Sequence, residues 1–201
     1  MQRYVRRIRH DLARLRRELR AIDRAGDLLA ARASAGGRLL VYDLRGEYVA
    51  EALGRAGGLM GISRIGREQA AMVGAHDALL IVADEPANTA DLALAHAARN
   101  AGALVVGICP VRQTEGALSG ACDAAIDNYV TDADAAVVVD GQAMAPTSGV
   151  LNTAILWAVT AAYIEGMEKR GKPPHVWMSI KRPGSKEFND AALAATREAG
   201  Y

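Results

Sequence analysis

The chain has 201 residues, of which 51% are apolar and 4% aromatic, and its formal net charge is +1. This composition excludes an intrinsically disordered chain, which has few apolar residues and a high net charge, and two cysteines are too few for a disulfide framework. No run of about 18 apolar residues predicts a membrane span, and arginines interrupt residues 1–24 where a secretory signal has an apolar stretch. We therefore expect a folded cytoplasmic protein without a membrane partner.

Positive charge is concentrated at the N-terminus. Residues 1–24 contain nine arginines and three acidic residues, whereas the other 177 residues contain 15 basic and 20 acidic ones. Apolar residues in this segment recur at alternating spacings of three and four, namely Val5, Ile8, Leu12, Leu15, Leu19 and Ile22. This heptad pattern is typical of a helix that packs on the protein body or on a second subunit.

Two roles are open for this helix. Clustered arginines are typical of an arm that contacts nucleic-acid phosphates. We favour a scaffold and no nucleic-acid partner, because the apolar stripe is regular and the rest of the chain is acidic. Gly26 is predicted to interrupt the helix, which resumes to about residue 34. The expected organisation is an assembly helix over residues 1–35, which forms a homodimer or homotetramer, packed on a single domain over residues 36–201.

The rest of the chain alternates predicted strands with predicted helices. Short apolar runs predict strands at residues 38–43, 78–83, 103–109, 124–127 and 136–139, with a brief extended piece at 175–179. Helical patterns cover residues 46–56, 88–100, 149–170 and 186–199, and Asn88 with Asp91 resembles a capping box. Apolar strands that alternate with helices predict an α/β fold, with a parallel sheet covered on both faces.

Open parallel sheets bind ligands beyond the carboxyl ends of their strands. The rule directs attention to residues 43–47, 84–88 and 109–114. No glycine-rich dinucleotide fingerprint follows a predicted strand, and no phosphate-binding loop motif occurs. The four histidines stand far apart in the sequence. We therefore predict neither a cofactor nor a metal site.

Polar residues open the long apolar helix. Thr147 and Ser148 stand at its predicted start, where hydroxyls cap exposed N–H groups and where an anion is also favoured. Capping alone accounts for both residues, so an anion-binding role stays open on this pattern.

Several longer motifs occur in a characteristic order. They are EALGRAGG at 51–58, AIDN at 125–128, PTS at 146–148 followed by IL at 155–156, and PPHVWMS at 173–179 followed by PG at 183–184 and Asn189. In these motifs the chain resembles the sugar isomerase (SIS) domain proteins, most closely the small single-domain bacterial phosphosugar-binding, phosphoheptose-isomerase-like type. The resemblance implies a three-layer α/β/α sandwich with a five-stranded parallel sheet of flavodoxin-like topology and a long N-terminal helix. It further implies a sugar derivative as ligand, an oligomer with sites near the subunit interface, and Ser179 as a ligand contact.

The chain departs from the family pattern at the strand ends. The family's Gly-x-Gly-x-Ser after the first strand is absent, and Arg45 stands at the serine position. After the second strand only Asn88 remains of Ser-Asn-Ser-Gly-x-Asn, and Glu85 replaces a phosphate-binding hydroxyl. Cys109 replaces part of a Thr-Ser pair, and Phe188 stands where relatives commonly have His.

These substitutions change the expected electrostatics. A carboxylate repels a phosphate dianion that hydroxyls would hold. Arg45 could bind the phosphate in bidentate fashion instead, or it could pair with Glu85 across neighbouring strand ends. We favour the ion pair, in which case the inherited phosphate site is remodelled or lost.

Two functions follow from the resemblance and its departures. In the first, the protein is an aldose–ketose isomerase acting on a sugar phosphate. Glu47 or Glu51, four residues apart on one helix face, is the base, Thr147 and Ser148 contact the ligand, and Arg45 clamps the anion.

The second function is binding without catalysis, or with altered selectivity. The fold is kept, but the pocket takes an unphosphorylated polyol or amino sugar. Asp84 and Glu85 then accept hydrogen bonds from hydroxyl or ammonium groups, with Asn88 as a further ligand contact.

Overall fold

The computed structural model describes residues 2–111, 116–131 and 133–201. The chain starts with helix α1 (Gln2–Arg14), a 3₁₀ turn (Leu15–Arg17) and helix α2 (Leu19–Ser34). Strand β1 (Leu39–Asp43), helix α3 (Glu47–Ala52), strand β2 (Ile62–Arg64) and a 3₁₀ segment (Arg67–Met72) follow. Next come β3 (Ala78–Val82), α4 (Thr89–Asn100), β4 (Leu104–Cys109), α5 (Leu118–Ala121) and β5 (Ala124–Asp127). The hairpin β6 (Val137–Val139) and β7 (Gln142–Met144) precedes α6 (Ser148–Lys169) and α7 (Ser185–Ala199).

The main sheet has five parallel strands in the order β2-β1-β3-β4-β5. This order confirms the predicted α/β class and the flavodoxin-like topology. The chain leaves β1 toward β2 on one side and returns to pair β3 on the other, in a register that sets Asp43 beside Val82. The carboxyl ends of β1 and β3 therefore form the switch point of the sheet, where such folds bind ligands.

The fifth strand of the sheet differs from the prediction. The valines at 137–139 do form a strand, but it pairs antiparallel with β7 outside the main sheet. The sheet is completed by β2, whose three residues include two exposed ones. Its pattern is too short and too polar to have predicted a strand.

Helices cover both faces of the sheet in a three-layer sandwich. On one face, α2, α3 and α6 pack against side chains such as Val41, Leu80 and Val106. On the other, α4 and α5 pack against Leu79 and Ile81. Strands β1, β3 and β4 are buried along their whole length, because helices remove both of their faces from water.

The crossing of α2 and α6 depends on glycine. The prediction of a helix break at Gly26 is wrong: α2 continues through it, and the break falls in the 3₁₀ turn at Leu15–Arg17. A Cβ atom at residue 26 would lie 2.4 Å from the Cβ of Ala162 on α6. Gly26 therefore lets the two helix backbones approach closely.

Helix α6 is long and apolar enough, by length and composition, to cross a membrane. In this fold Leu151, Ile155 and Leu156 are almost fully buried in the core beneath it. Asn152 is also fully buried, and its side chain is hydrogen-bonded inside the protein. One face of α6 is therefore part of the core.

The two N-terminal helices differ in burial. Helix α2 contributes Ile22, Leu29 and neighbouring alanines to the core. Helix α1 buries only Asp11, and the apolar stripe leaves Val5 50% and Leu12 37% exposed. The assembly role predicted for residues 1–35 therefore stays a prediction, for which α1 supplies the free surface.

Candidate functional site

A narrow cleft opens at the carboxyl ends of β1 and β3. Its charged lining residues are Asp43, Arg45, Glu47, Asp84, Glu85 and Asp91, with Tyr48 and Asn88 beside them. The cleft encloses about 30 Å³, which is room for one or two water-sized groups. Five residues predicted from sequence, Arg45, Glu47, Asp84, Glu85 and Asn88, thus meet at one place. The ligand-binding role of each stays a prediction.

Asp43 fills the turn between β1 and α3. Its carboxylate accepts hydrogen bonds from the backbone N–H groups of Gly46, Tyr48 and Val49, the latter two at 2.7 Å. Asp43 is only 4% exposed. The backbone donors after the first strand are therefore already bound by the chain's own carboxylate.

Asp84 is held by a buried polar network. The Tyr48 hydroxyl donates to it at 3.0 Å, and the Asn152 amide donates at 2.7 Å. Asn128 in turn donates to the Asn152 carbonyl at 2.8 Å and to the backbone oxygen of Ala83 at 2.8 Å. Two fully buried asparagines thus fix the orientation of the Asp84 carboxylate.

The protonation of this network is set mainly by burial. Burial raises the pKa of Tyr48 to about 12, so its hydroxyl stays protonated and donates. Burial also raises the pKa of Asp84, with repulsion from Asp134 in the same direction. The hydrogen bond from Tyr48, the positive charge of Arg45 and the hydrogen bond from Asn152 oppose that rise.

Asn88 and Asp91 begin helix α4. Asn88 caps it by accepting from the N–H of Ala90 at 3.0 Å, but the Asp91 carboxylate does not return to Asn88 to complete the predicted capping box. Asp91 turns into the cleft lining and is only 3% exposed, and its Oδ1 has no hydrogen-bond partner among the described residues. Burial first, and then the negative charges of the neighbouring Glu85, Asp84 and Asp43, raise its pKa to about 6.

Asp134 occupies the start of helix α6. Its Oδ1 accepts from the backbone N–H of Thr147 at 2.9 Å and of Ser148 at 3.0 Å. Its Oδ2 accepts from the Ser148 hydroxyl at 2.7 Å. The two predicted ligand contacts therefore hold an internal carboxylate in this structure.

Arg45 does not make the favoured ion pair. Both Arg45 and Glu85 are described and exposed, and no ion pair joins them. Arg45 lies at the cleft mouth, close enough for its charge to act on Asp84. The expectation failed because the short β1–α3 turn leaves the guanidinium in solvent.

The two candidate bases are separated by their surroundings. Glu47 is exposed and lines the cleft. Glu51 lies outside the lining, where it forms an ion pair with Arg55 and accepts from the Trp157 indole at 3.4 Å. Although helical spacing places both on α3, only Glu47 reaches the site.

The remaining predicted residues lie elsewhere. Ser179 belongs to a turn in which its hydroxyl accepts from the N–H of Lys181 at 3.4 Å, and it does not line the cleft. Of the third predicted segment, 109–114, residues 112–114 lie outside the described residues. In the part of the chain that the structure describes, no group of three or more His, Cys, Asp or Glu is placed to hold a metal ion.

Sequence reasoning gave no site role to Tyr48, Asp91, Asp134 and Asn152, and it placed Asp43 in the 43–47 segment without a role of its own. Asp43 and Asp91 carried a usable signal, since each is an acidic residue beside a predicted strand end or helix start. Asp134 and Asn152 carried none, because only the folded chain places the hairpin loop and α6 at this edge.

The relatives of this chain add no described activity. No family model matches it. A UPF0309 protein from Streptomyces griseus is 30% identical over 135 residues, covering 62% of this chain and 54% of that protein. The chain thus spans about half the length of this relative. A UPF0309 protein from Brucella canis is 27% identical, covering 93% of this chain and 92% of that protein.

Solved structures share the fold at low sequence identity. A candidate phosphosugar isomerase from Silicibacter pomeroyi has a TM-score of 0.56 at 17% identity, covering 97% of this chain and 57% of that one. The NanR protein of Vibrio vulnificus, solved in complex with ManNAc-6P, has a TM-score of 0.55 at 12% identity, covering 96% and 67%. These likenesses agree with the motifs and with the sheet order. The chain has the fold of the sugar isomerase (SIS) domain proteins.

Proposed function

We propose that this protein binds an unphosphorylated carbohydrate derivative in the cleft at the ends of β1 and β3. The fold it shares with the ManNAc-6P-binding NanR supports a sugar derivative as the class of ligand. One observation argues against a phosphate on the ligand: the chain's own side chains already bind the backbone N–H groups at this edge of the sheet. Asp43, Asn88 and Asp134 bind the N–H groups that start α3, α4 and α6.

A phosphate would have to displace these acceptors. Phosphate sites at helix starts work because free N–H groups point at the anion. Here a carboxylate of the chain itself already accepts from the N–H groups at two of the three starts, and Asp84 and Glu85 place further carboxylates in the cleft. A sugar hydroxyl avoids this conflict, since it donates hydrogen bonds to carboxylates.

Binding measurements with matched ligands test the proposal. Hexoses, hexosamines and hexitols are titrated against the full chain by calorimetry, beside the 6-phosphate of each. A ligand at 100 times its dissociation constant stabilises the native state by about 2.7 kcal/mol, so thermal unfolding gives an independent reading. We expect unphosphorylated ligands to bind at least as tightly as their phosphates. Binding of the phosphates alone overturns the proposal.

A second candidate function is isomerisation of a sugar phosphate. Two observations favour it: Glu47 lines the cleft as a possible base, and Arg45 stands exposed at the mouth where it could receive a phosphate. Aldose–ketose interconversion of pentose, hexose and heptose phosphates, followed by NMR, tests it. Turnover that Glu47→Gln abolishes and Arg45→Ala weakens through KM supports this candidate, and absence of turnover excludes it for those substrates.

We also propose that α1 joins copies of the chain. The support is the exposed apolar stripe that includes Val5 and Leu12 on an otherwise arginine-rich helix. Leu12→Glu is compared with Ala13→Glu, which adds the same charge at a neighbouring exposed position outside the stripe. We expect only Leu12→Glu to lower the mass measured by light scattering. A wild-type monomer contradicts the proposal.

A further inference from the structure

The cleft holds an unbalanced set of charges. Five carboxylates line it, from Asp43, Glu47, Asp84, Glu85 and Asp91, and among the residues that the structure describes Arg45 is the one cation in the lining. Buried carboxylates in folded proteins are ordinarily paired or fully hydrogen-bonded. Glu47 and Glu85 are exposed and need no partner within the fold, so the question concerns the less exposed Asp43, Asp84 and Asp91.

The carboxylates differ in how far the protein satisfies them. Asp43 accepts three backbone hydrogen bonds and has no need of a ligand. Asp84 accepts from Tyr48 and Asn152, which leaves capacity on a group with about four acceptor sites. Asp91 is 3% exposed, and its Oδ1 has no hydrogen-bond partner among residues 2–111, 116–131 and 133–201.

The neighbour of the unsatisfied Asp91 oxygen is a second unsatisfied group. The Tyr42 hydroxyl is 2% exposed and also lacks a hydrogen-bond partner of ordinary geometry in the described chain. It lies beside Asp91, and a weak hydrogen bond between the two raises the pKa of Tyr42 and opposes the rise in the pKa of Asp91. One hydroxyl can donate a single hydrogen bond, so this contact does not neutralise the charge on Asp91.

The complement of this lining is a small cation with several donors. The enclosed space of about 30 Å³ admits one or two water-sized groups. An ammonium group fits that size, carries one positive charge and offers three donors. A metal ion fits less well, because no metal-binding cluster occurs within the described part of the chain.

We infer that the sugar derivative carries a primary amine, and that its ammonium group binds between Asp84 and Asp91 in the cleft. This inference rests on the proposed function and names its ligand class as amino sugars. Asp84 is the oriented acceptor, since the Asn128–Asn152 pair fixes it. Asp91 supplies the second acceptor through its Oδ1, which is buried and which Tyr42 satisfies only weakly. Hydroxyls of the same ligand extend toward Glu47 and Glu85 at the open side.

Sets of three sugars that differ at one position test the inference. D-Glucosamine, D-glucose and N-acetyl-D-glucosamine differ only at carbon 2, and the galactose and mannose series repeat the comparison. Each is titrated against the full chain at pH 7.5 by calorimetry, with glucosamine 6-phosphate as a further arm and MgCl₂ and CaCl₂ as inorganic cations. We expect at least one amine to bind about tenfold or more tightly than its hydroxyl and acetamide partners.

Variants locate the binding group. Asp84→Asn and Asp91→Asn each remove one negative charge with little change of shape, and each should weaken amine binding about tenfold or more. Asp190→Asn is the matched control, because Asp190 is an exposed residue on α7 whose partner is Lys186. It should leave binding unchanged. Thermal unfolding of each variant without ligand shows that the loss is not a loss of folding.

The outcomes separate the inference from the proposed function. Equal binding of glucose and glucosamine overturns the inference and leaves the proposed function in place. Binding of the phosphorylated arm alone overturns both. Stabilisation by Mg²⁺ or Ca²⁺ that competes with the sugars assigns the cleft to a metal and overturns the inference. An absence of binding by every amine also overturns it.

Discussion

The buried carboxylates at the two ends of the parallel sheet differ in their hydrogen-bond partners and in the direction of their pKa shifts. At the amino end, Asp77 accepts from the Arg38 guanidinium at 3.0 and 2.6 Å and from the N–H of Gly74 at 2.8 Å. Burial alone would raise the pKa of Asp77, but the hydrogen bonds from Arg38 and Gly74 outweigh it, so the pKa lies below its ordinary value. At the carboxyl end, burial raises the pKa values of Asp84 and Asp91, and neither forms an ion pair with a cation in the described ranges 2–111, 116–131 and 133–201.

This contrast distinguishes a carboxylate that stabilises the fold, Asp77, from carboxylates that could bind a ligand, Asp84 and Asp91. Folds of this kind bind their ligands at the carboxyl end of the sheet rather than at the amino end, and the carboxylate at the amino end is matched within the chain. The carboxyl end lies at the switch point, where ligands bind. Titratable groups whose pKa values are shifted by burial tend to cluster at functional sites. The unmatched pair at Asp84 and Asp91 is therefore the part of the molecule that indicates function.

Removing Arg38 from the ion pair with Asp77 should have the largest effect on the free energy of unfolding. Arg38→Ala leaves Asp77, whose side chain is 7% exposed, buried without its partner, and we expect a loss of about 3 kcal/mol in unfolding free energy at pH 7. A carboxyl with a lowered folded pKa stabilises above its unfolded value of 3.8 and loses that contribution as pH falls. The gap between wild type and variant in urea unfolding should thus narrow below about pH 4. Equal stability at pH 7 would contradict a structural role.

Neutralising Asp91 at the carboxyl end should raise the free energy of unfolding rather than lower it. The pKa of Asp91 is about 6 in the fold against 3.8 in the unfolded chain, so its ionisation costs stability as pH rises from about 4 to 6. We expect Asp91→Asn to gain on the order of 2 kcal/mol at pH 7.5 and nothing at pH 4. Urea unfolding at the two pH values measures this, with Asp190→Asn as the control. Destabilisation at pH 7.5 would show that Asp91 is structural, like Asp77.

Removing the Asp134 carboxylate from the start of α6 should change stability less than either change above. It should also create a phosphate-binding site that the wild type lacks. Asp134→Ser removes the carboxylate from Thr147 and Ser148, and we expect a cost of about 1 kcal/mol through the lost cap. The freed N–H groups and hydroxyls should then bind inorganic phosphate, which calorimetry detects. Asp134→Asn is the matched control, since its amide oxygen keeps the cap. If the wild type binds phosphate as tightly as Asp134→Ser does, then Asp134 does not block the N–H groups of Thr147 and Ser148.

The smallest effect is expected at Glu51. This carboxylate is partnered by Arg55 and Trp157 outside the cleft, and a partly exposed ion pair contributes about 0 to 1 kcal/mol. Glu51→Gln should therefore change stability by less than about 1 kcal/mol and leave sugar binding as in wild type. Asp84→Asn is the comparison that should lose binding. A loss of sugar binding in Glu51→Gln would show that Glu51 belongs to the binding site.

The strands of the central sheet were predictable because burial on both faces leaves a continuous apolar run. Residues 78–82 and 104–109 are of this kind. Strand β2 was not predictable, since its pairing with β1 rather than its composition makes it a strand. Gly26 was misread for a related reason: a glycine that breaks an isolated helix can also serve a close helix crossing, and only the position of α6 distinguishes the two.

Half of the candidate site followed from the sequence. Arg45, Glu47, Asp84, Glu85 and Asn88 were found because the carboxyl ends of adjacent parallel strands must meet. The state of each group was not predictable. Whether Arg45 pairs with Glu85, or whether Glu51 faces the cleft or Trp157, depends on side-chain distances of a few ångström that spacing along the chain does not specify.

By itself, the sequence determined the α/β class, the SIS resemblance and the edge of the sheet where acidic residues replace hydroxyls, because periodicity and local motifs encode these features within short segments. The tertiary structure alone decided that Asp43 and Asp134 occupy the donors a phosphate would use, and that no described cation forms an ion pair with Asp84 or Asp91. Those states arise from burial and from contacts between residues far apart in the chain. Asp134 meets Ser148 across a hairpin, and Asp84 meets Asn152 across 68 positions.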